Sequence, residues 1–418
     1  MPGDAIPPCT PLGEVVRLSA ERVVANKRPD WPYVGLEHME RECPDLVGSA
    51  HSGTSSSTNN VFHAGDVLFG KLRPYLRKSV GARSSGYCST DILVLRPNDT
   101  TAPAFAAKVF QSEPVLAEAV ASSFGTKMPR TSWTSMRQLA VFFPPRPEQL
   151  RIAEILDTLD EVIRRTEHVI AKLHRMKQGL LHDLLTRGIN EHGEPRDPDR
   201  HPEQFKDSPL GRIPKAWDVA CLDEIRHSST QITYGVLKPG PFTPGGVPLL
   251  QIEDVIHGDI DRGKLHRISA SLDSQYRRTR VSGGELLISL VGTIGRAVLL
   301  PNDLGAANIH RNLGLLRLSD GMSPTFWLLY LRSHLAQRQI ASTTYGTTQA
   351  LLNLGNIRSL IVPVVPVAEQ ERIALAGASI TELIASEQSE FEKLRTIRRG
   401  LTDDLLTGRL RTLPTEAT

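Results

Sequence analysis

Two stretches of the chain carry apolar residues at heptad spacing. In the first, Ile152, Leu159, Thr166, Leu173 and Leu180 recur every seven residues, with Ile155, Val162, Val169 and Met176 interleaved. Leu156, Ile163, Ile170 and Leu184 widen that stripe. In the second, Ile373, Ile380, Glu387, Leu394 and Leu401 form the same series, interleaved with Leu383, Ile384, Phe391, Ile397 and Leu405. The spacing predicts two amphipathic helices of about 40 residues, each a rod on the order of 60 Å. Pro147 and Pro366 stand just ahead of Glu148-Gln149 and Glu369-Gln370. That suits a helix start, where proline lacks no needed donor and a carboxylate meets the positive dipole end. A lone helix of this length must bury its stripe, so the two are expected to pack side by side. The plain alternative is a structural seam with no further role. Thr166 and Glu387 occupy equivalent heptad positions and could fix register. Ala376, Gly377 and Ala378 stand opposite Ile155, Leu156 and Asp157, so looser packing is expected there.

Upstream of each helix, short apolar runs alternate with Gly, Pro and Ser. Residues 67–69, 92–95 and 139–143 read as strands and 104–120 as a helix. The same theme returns with strands at 248–252, 285–290, 297–300 and 313–318 and a helix at 325–339. Residues 188–215 are polar and carry Pro195, Pro198, Pro202, Pro209 and Pro214, which predicts an extended linker.

The two halves are copies. Residues 124–188 align with 345–409 at a constant offset of 221 without a gap, and 21 of the 65 positions are identical. Gly125-Thr126 matches Gly346-Thr347, residues 151–153 match 372–374, and residues 183–186 match 404–407. A period this long excludes a solenoid and indicates a duplicated domain.

Composition adds bounds. The 418 residues are too many for one ordinary domain, and 40% hydrophobic with 23% charged residues permits packed cores. The most apolar stretch, 361–367, contains Pro363 and Pro366, so no membrane-spanning run is expected. No basic start followed by an apolar core marks the N-terminus. Cys9, Cys43, Cys88 and Cys221 lie at least 34 positions apart, which excludes CxxC motifs and fits a reduced, cytoplasmic setting. The net charge of +3 leaves nucleic-acid binding to local patches.

Enzyme signatures are missing: no GxGxxG, HExxH or GxSxG occurs. Segments 65–71 and 258–264 approach a phosphate-binding loop, but Leu72 and Leu265 stand where a magnesium-binding hydroxyl is needed. No Asn-Pro-Pro-aromatic or Asp-Pro-Pro-aromatic tetrapeptide of an amino-methyltransferase is present. The thirteen histidines are scattered and read as surface or core residues. Binding features are stronger. Residues 67–90 hold Lys71, Arg73, Arg77, Lys78 and Arg83 with no carboxylate, interleaved with Phe69, Tyr75 and Tyr87. Such density suits phosphate neutralisation, and a solvated basic face is the alternative. The second half offers Arg277, Arg278 and Arg280, then Thr293, Arg296, His310, Arg311 and Asn312, here with Glu285 and Asp303 between. Lys127 and Arg130 after Gly125-Thr126, and Thr347 and Gln349 after Gly346, lie on paired turns that could approach a groove or merely repeat the fold.

Several segments together resemble the specificity (S) subunit of type I restriction-modification enzymes, over nearly the whole chain. Residues 64–78 (AGDVLFGKLRPYLRK) and 283–296 (GGELLISLVGTIGR) are similar to segments of that family's target recognition domains. FPPRPEQ at 143–149 and PVVPVAEQ at 363–370 resemble its approaches to the long helices, and GLLHDLLT at 179–186 their exit. FKDSPLGRIPKAW at 205–217 resembles the approach to a second recognition domain. The resemblance implies an α+β fold: two pseudo-repeated mixed α/β target recognition domains separated by two long helices packed as an antiparallel coiled coil. The expected division is 1–145 and 216–365 for the recognition domains, 146–187 and 366–410 for the helices, 188–215 for the linker and 411–418 for a tail.

It further implies that each recognition domain reads half of a bipartite double-stranded DNA target. The helix pair would set the spacing and dock two methyltransferase subunits, through Ile152, Leu159, Leu173, Leu180, Ile373, Ile380, Leu394 and Leu401. Restriction subunits for translocation and cleavage would join them. The chain itself would be non-catalytic and bind no metal or cofactor, while S-adenosylmethionine, ATP and Mg would be held by partner subunits. Lys71, Arg73, Arg77, Lys78, Arg83, Arg277, Arg278 and Arg280 are expected on phosphates. Arg130, Arg296, Asn312, Thr347 and Gln349 are expected near bases, and Lys127 is expected at the DNA interface. A self-contained DNA-modifying enzyme and a non-DNA coiled-coil scaffold are the rivals.

Overall fold

The computed structural model describes residues 9–24, 30–41, 43–51, 58–255, 260–343 and 352–412. Both heptad segments are helices, Arg146–Thr186 and Val367–Leu406. Their starts are set by the aligned prolines Pro145 and Pro366. The Pro145 carbonyl accepts from the Glu148 and Gln149 amides (2.9 and 3.1 Å), and the Pro366 carbonyl from those of Glu369 and Gln370 (2.9 and 3.0 Å). The chain divides into two compact units, residues 1–169 with 387–418 and residues 170–386, each holding part of both long helices.

In the first unit a four-stranded antiparallel sheet has the order Val16–Leu18, Ile92–Pro97, Val67–Gly70, Ser79–Gly81. A five-stranded sheet has the order Arg22–Val24, Thr58–Phe62, Gly86–Cys88, Pro32–Val34, Ala50–His51, with Gly86–Cys88 and Pro32–Val34 parallel. The apolar run at 92–95 does not alternate because both faces are covered. Leu93 and Leu95 join the core that contains Phe69, Phe105 and Phe110, while Ile92 and Val94 pack with Phe62, Val80 and Cys88. The ribbon Cys9–Pro11 with Ala140–Phe142 brings the ends of the module together. Ile152, Ala153 and Leu156 from the start of the first long helix enter this core beside Leu405 and Leu406 from the end of the second. The two segments therefore run antiparallel here, and Asp160 accepting from Arg398 at 2.7 Å fixes their register.

The second unit repeats the plan. Its four-stranded antiparallel sheet has the order Thr233–Tyr234, Leu313–Leu316, Leu286–Ser289, Ala297–Leu299. Its second sheet has the order His266–Ile268, Val247–Leu250, Ala307–Ile309, Arg280–Val281, again with one parallel pair, Val247–Leu250 and Ala307–Ile309. Asp218–Cys221 pairs with Ile361–Val364 as the closing ribbon. Ile373 and Ala374 share a core with Leu184, Leu185, Trp217 and Trp327. The identical sequence blocks are thus the residues that seat both long helices in a module core.

The shared glutamines act alike. Gln149 accepts from the Ala102 amide (2.8 Å) and donates to the Pro144 carbonyl (2.9 Å). Gln370 accepts from the Ser323 amide (3.1 Å) and donates to the Val365 carbonyl (2.8 Å). Ala102 and Ser323 are the N-caps of the module helices Pro103–Val109 and Pro324–Arg332. Each glutamine therefore ties a module helix to the start of a long helix.

Several expectations are corrected. The helix expected over 104–120 is two, Pro103–Val109 and Glu113–Ala121. Pro114 has no N–H for the Phe110 carbonyl and its ring would clash with it, so the helix must restart. The helix expected over 325–339 divides into Pro324–Arg332 and His334–Thr343, where the Ser333 hydroxyl accepts from the Ala336 amide (3.4 Å). The strand expected at 248–252 ends at Leu250, and Ile252–Val255 is helical. Residues 188–215 are not an extended linker. Phe205–Ser208 pairs with Gly211–Pro214, Ile189, Phe205 and Ile213 are buried, and Arg196 pairs with Glu369 at 2.5 Å. Its proline-rich composition concealed those three apolar anchors.

The heptad stripe is only partly a seam. Val162, Val169 and Met176 are 39–52% exposed, as are Leu383 and Ile397 at 48% and 51%, because one partner helix covers only a narrow strip. Thr166 does not lock register; its hydroxyl donates to the Val162 carbonyl of its own helix (3.1 Å). The packing at Gly377 is closer than expected, not looser. A Cβ there would come within 2.5 Å of Leu329 and 3.3 Å of Leu181, so the absence of a side chain admits both leucines.

Candidate nucleic-acid interface

In the first unit Lys71, Arg73, Arg77 and Lys78 lie between the strands Val67–Gly70 and Ser79–Gly81. This connection contains the 3-10 turn Pro74–Leu76, flanked by Arg73 (φ 51°) and Arg77 (φ 53°). Among the described residues these are the two non-glycine positions with positive φ. Such a conformation costs on the order of 1 kcal/mol for a residue with a Cβ, so the surrounding structure must hold it. A second loop supplies that hold. The Phe124 and Arg130 amides each donate to the other's carbonyl at 3.0 Å, closing a short hairpin whose turn uses Gly125 at φ 98°. The Arg73 amide donates to the Pro129 carbonyl (2.7 Å) and the Thr131 amide to the Lys71 carbonyl (3.0 Å). Two candidate segments, read separately in the sequence, thus share one surface.

The cations on this surface differ in what they touch. Arg130 holds both oxygens of Asp91 (3.0 and 3.2 Å), and those hydrogen bonds push its pKa above the ordinary arginine value. Arg77 holds Glu113 in the same forked manner (2.6 and 3.0 Å). Lys78 donates to the Leu36 carbonyl at 2.7 Å, and Arg83 pairs with Asp45 at 2.6 Å. Lys71, Arg73 and Lys127 have no carboxylate partner among the described residues. Around them Tyr75 (49%), Phe124 (66%) and Met128 (48%) are exposed. Phe124 and Met128 were missed by sequence reasoning. Their only signal is their place beside the Gly125 turn.

The second unit puts Arg296 on the topologically equivalent connection, between the strands Leu286–Ser289 and Ala297–Leu299. Gly292 (φ 76°) and Gly295 (φ 75°) turn it, and the Ser289 hydroxyl accepts from the Arg296 amide at 2.9 Å. The Leu290 amide donates to the Asn312 carbonyl (2.8 Å) and the Arg311 amide to the Val236 carbonyl (3.0 Å), so Arg296 and Asn312 lie on joined loops. Burial, and then the neighbouring Arg311 charge, lower the pKa of His310. Arg277 and Arg278 are exposed on the turn Arg277–Thr279. Arg280 is engaged with Asp273 (2.8 Å), and that hydrogen bond raises its pKa. Asp273 also accepts from the buried Asn308 (3.0 Å), which accepts from the Thr279 hydroxyl (2.7 Å). Arg280 therefore closes a structural network. Thr347 and Gln349 lie outside the described residues.

Of the helix positions, Ile152 and Ile373 are fully buried in the module cores and anchor the helices there. Leu159, Leu173, Leu180, Ile380, Leu394 and Leu401 are half-buried. Among the described residues no group of three or more His, Cys, Asp or Glu could hold a metal ion. The arrangement offers cations, amides and exposed apolar tips: groups that bind a polyanion.

Comparison with known proteins accords with this geometry. The sequence model of the type I restriction modification DNA specificity domain matches residues 26–175 and 214–394. The EcoBI specificity subunit of Escherichia coli is 27% identical over 271 residues, 63% of this chain and 56% of that protein. The MjaVIII specificity subunit of Methanocaldococcus jannaschii is 25% identical over 293 residues, 69% of this chain and 66% of that protein. The matches thus span less than two thirds of either relative. A solved chain of a type I R-M system superimposes with a TM-score of 0.62 at 22% identity, covering 98% of this chain and 100% of that one. The HsdS subunit from Thermoanaerobacter tengcongensis gives 0.50 at 21% identity, covering 97% and 98%. These structural likenesses establish the fold.

Proposed function

The chain belongs to the family of the type I restriction modification DNA specificity domain, and from that membership we propose that it is the sequence-recognition subunit of a type I restriction-modification complex. Each module reads one half of a bipartite double-stranded DNA target, and the long helices set the distance between the halves. One observation carries this reading: the same strand connection in both modules presents cations, Lys71 and Arg73 in one and Arg296 in the other, that have no carboxylate partner among the described residues. Duplicated, outward-facing and uncompensated positive charge is what two phosphate-backbone contacts require.

The chain itself catalyses nothing in this reading. Two methyltransferase subunits dock on the long helices, where Val162, Val169, Met176, Leu383 and Ile397 offer uncovered apolar surface. Those subunits bring S-adenosylmethionine, and restriction subunits bring ATP and Mg. The complex works in the cytoplasm. Among the described residues no helix is long and apolar enough to cross a membrane. The test is co-expression with a matching methyltransferase subunit and genome-wide mapping of methylated adenines in a host lacking other such systems. Two short defined halves around a fixed gap are expected. No new methylation from an assembled complex that binds S-adenosylmethionine would overturn the reading.

A further inference from the structure

The exposed apolar tip of the first unit has no counterpart in a surface built only to hold phosphates. Phe124 (66% exposed) belongs to the pair that closes the hairpin by two 3.0 Å backbone hydrogen bonds, Met128 (48%) lies within its turn, and Tyr75 (49%) lies on the adjoining 3-10 turn Pro74–Leu76. The hairpin is bound to the strained turn at Arg73, and Arg130 anchors its base to Asp91. Three large apolar side chains are therefore held outward on a rigid support. The carboxylates nearest in this network, Asp91 and Glu113, are both neutralised by arginines. Lys71, Arg73 and Lys127 remain to supply net positive charge around the tip. Apolar groups on loops that also carry cations without a carboxylate partner among the described residues match a polyanion with apolar features inside its charged walls, which describes a DNA groove.

The dimensions choose the groove. The major groove of B-DNA, about 12 Å wide, has room for a loop that turns back on itself through one bridge pair and is backed by the 3-10 turn, whereas the minor groove is about 6 Å wide. The only apolar feature displayed in the major groove is the thymine C5-methyl group. We propose that Phe124 and Met128 are specificity-determining residues that enter the major groove of one half-site and recognise a thymine through its methyl group, while Lys71, Arg73 and Lys127 hold the flanking phosphates. This rests on the DNA-recognition reading above.

The test uses the full chain assembled with its methyltransferase subunits, on the target found by methylation mapping. Each thymine of both half-sites is replaced singly by deoxyuridine, which removes only the methyl group. At one or two thymines of one half-site the affinity is expected to fall about fourfold, the scale for losing one buried methyl contact. The same replacement should cost nothing to a Phe124→Ala, Met128→Ala variant, whose exposed positions leave its melting temperature unchanged. Indifference of the wild-type complex to every deoxyuridine, or an equal loss in wild type and variant, overturns the proposal. A complex that binds no DNA refutes the functional reading itself.

Discussion

The Glu148 carboxylate, in the first turn of the first long helix, receives both arms of the Arg411 guanidinium at 2.8 and 2.7 Å. Arg411 lies just past the end of the second long helix, so the pair joins the beginning of one helix to the exit of the other. In the second unit Glu369 receives Arg196 and the Ile189 amide (2.9 Å), which lie just past the end of the first long helix. The identical Glu-Gln blocks thus encode two bonds. The glutamate grips the chain leaving the antiparallel helix, and the glutamine grips the module.

The Glu148 clasp should be visible as a pH dependence. The Arg411 hydrogen bond holds the Glu148 pKa below its ordinary value of 4.5. A depressed carboxylate contributes stability that is fully present above the unfolded pKa and lost as pH falls through the folded one. Wild type should therefore exceed Glu148→Gln in stability at neutral pH. That advantage should shrink progressively once the pH drops below about 4.5. Chemical denaturation across this range measures it.

Lys108 is 4% exposed and reaches Asp157 at 2.7 Å and Asp160 at 2.6 Å, joining the module helix Pro103–Val109 to the first long helix. Lys108→Met leaves Asp160 with Arg398 alone and should destabilise by about 3 kcal/mol. Adding Asp160→Asn should recover part of that loss, because the buried carboxylate is then gone. A double-mutant cycle by urea denaturation reads both.

Gln149→Ala and Gln370→Ala should have similar effects, since each removes an equivalent pair of bonds, and Gln149 loses in addition only a long one to the Thr100 carbonyl (3.4 Å). Each strands a helix-capping amide (Ala102 or Ser323) and a carbonyl at the entry to a long helix (Pro144 or Val365). The expected loss is about 2 kcal/mol apiece. A marked inequality between them, measured by denaturation, would mean the two cores are not equivalent in energy as they are in geometry.

Cations without carboxylate partners should separate from engaged ones in two assays. Lys71→Ala, Arg73→Ala and Lys127→Ala should each weaken DNA binding and reduce the slope of log affinity against log salt by about 0.9. Their melting temperatures should stay put, or rise slightly for Arg73→Gly, which relieves the positive φ. Arg130→Ala and Arg280→Ala should instead lower the melting temperature by stranding Asp91 and Asp273. Fluorescence anisotropy at several salt concentrations, alongside thermal melts, tests the division.

The sequence by itself determined the duplication and the two long helices. Those features are periodic or local: a heptad can be counted, and an aligned Glu-Gln block needs no coordinates. The same locality misled elsewhere. The acid-free window at 67–90 looked like a strip of unpaired cations. Folding brings Glu113 to Arg77 and Asp45 to Arg83 from outside it, and Leu36 supplies a carbonyl to Lys78. Arg130 likewise meets Asp91, 39 positions away. Among the described residues, only Lys71, Arg73 and Lys127 of the first module's candidates have neither a carboxylate nor a carbonyl partner for their side chains. Which face of a heptad stripe is covered, and which proline-rich segment is anchored, were decided in the same way. A charge or a methylene is satisfied by whatever tertiary packing sets beside it, and long-range neighbours leave no trace in local spacing.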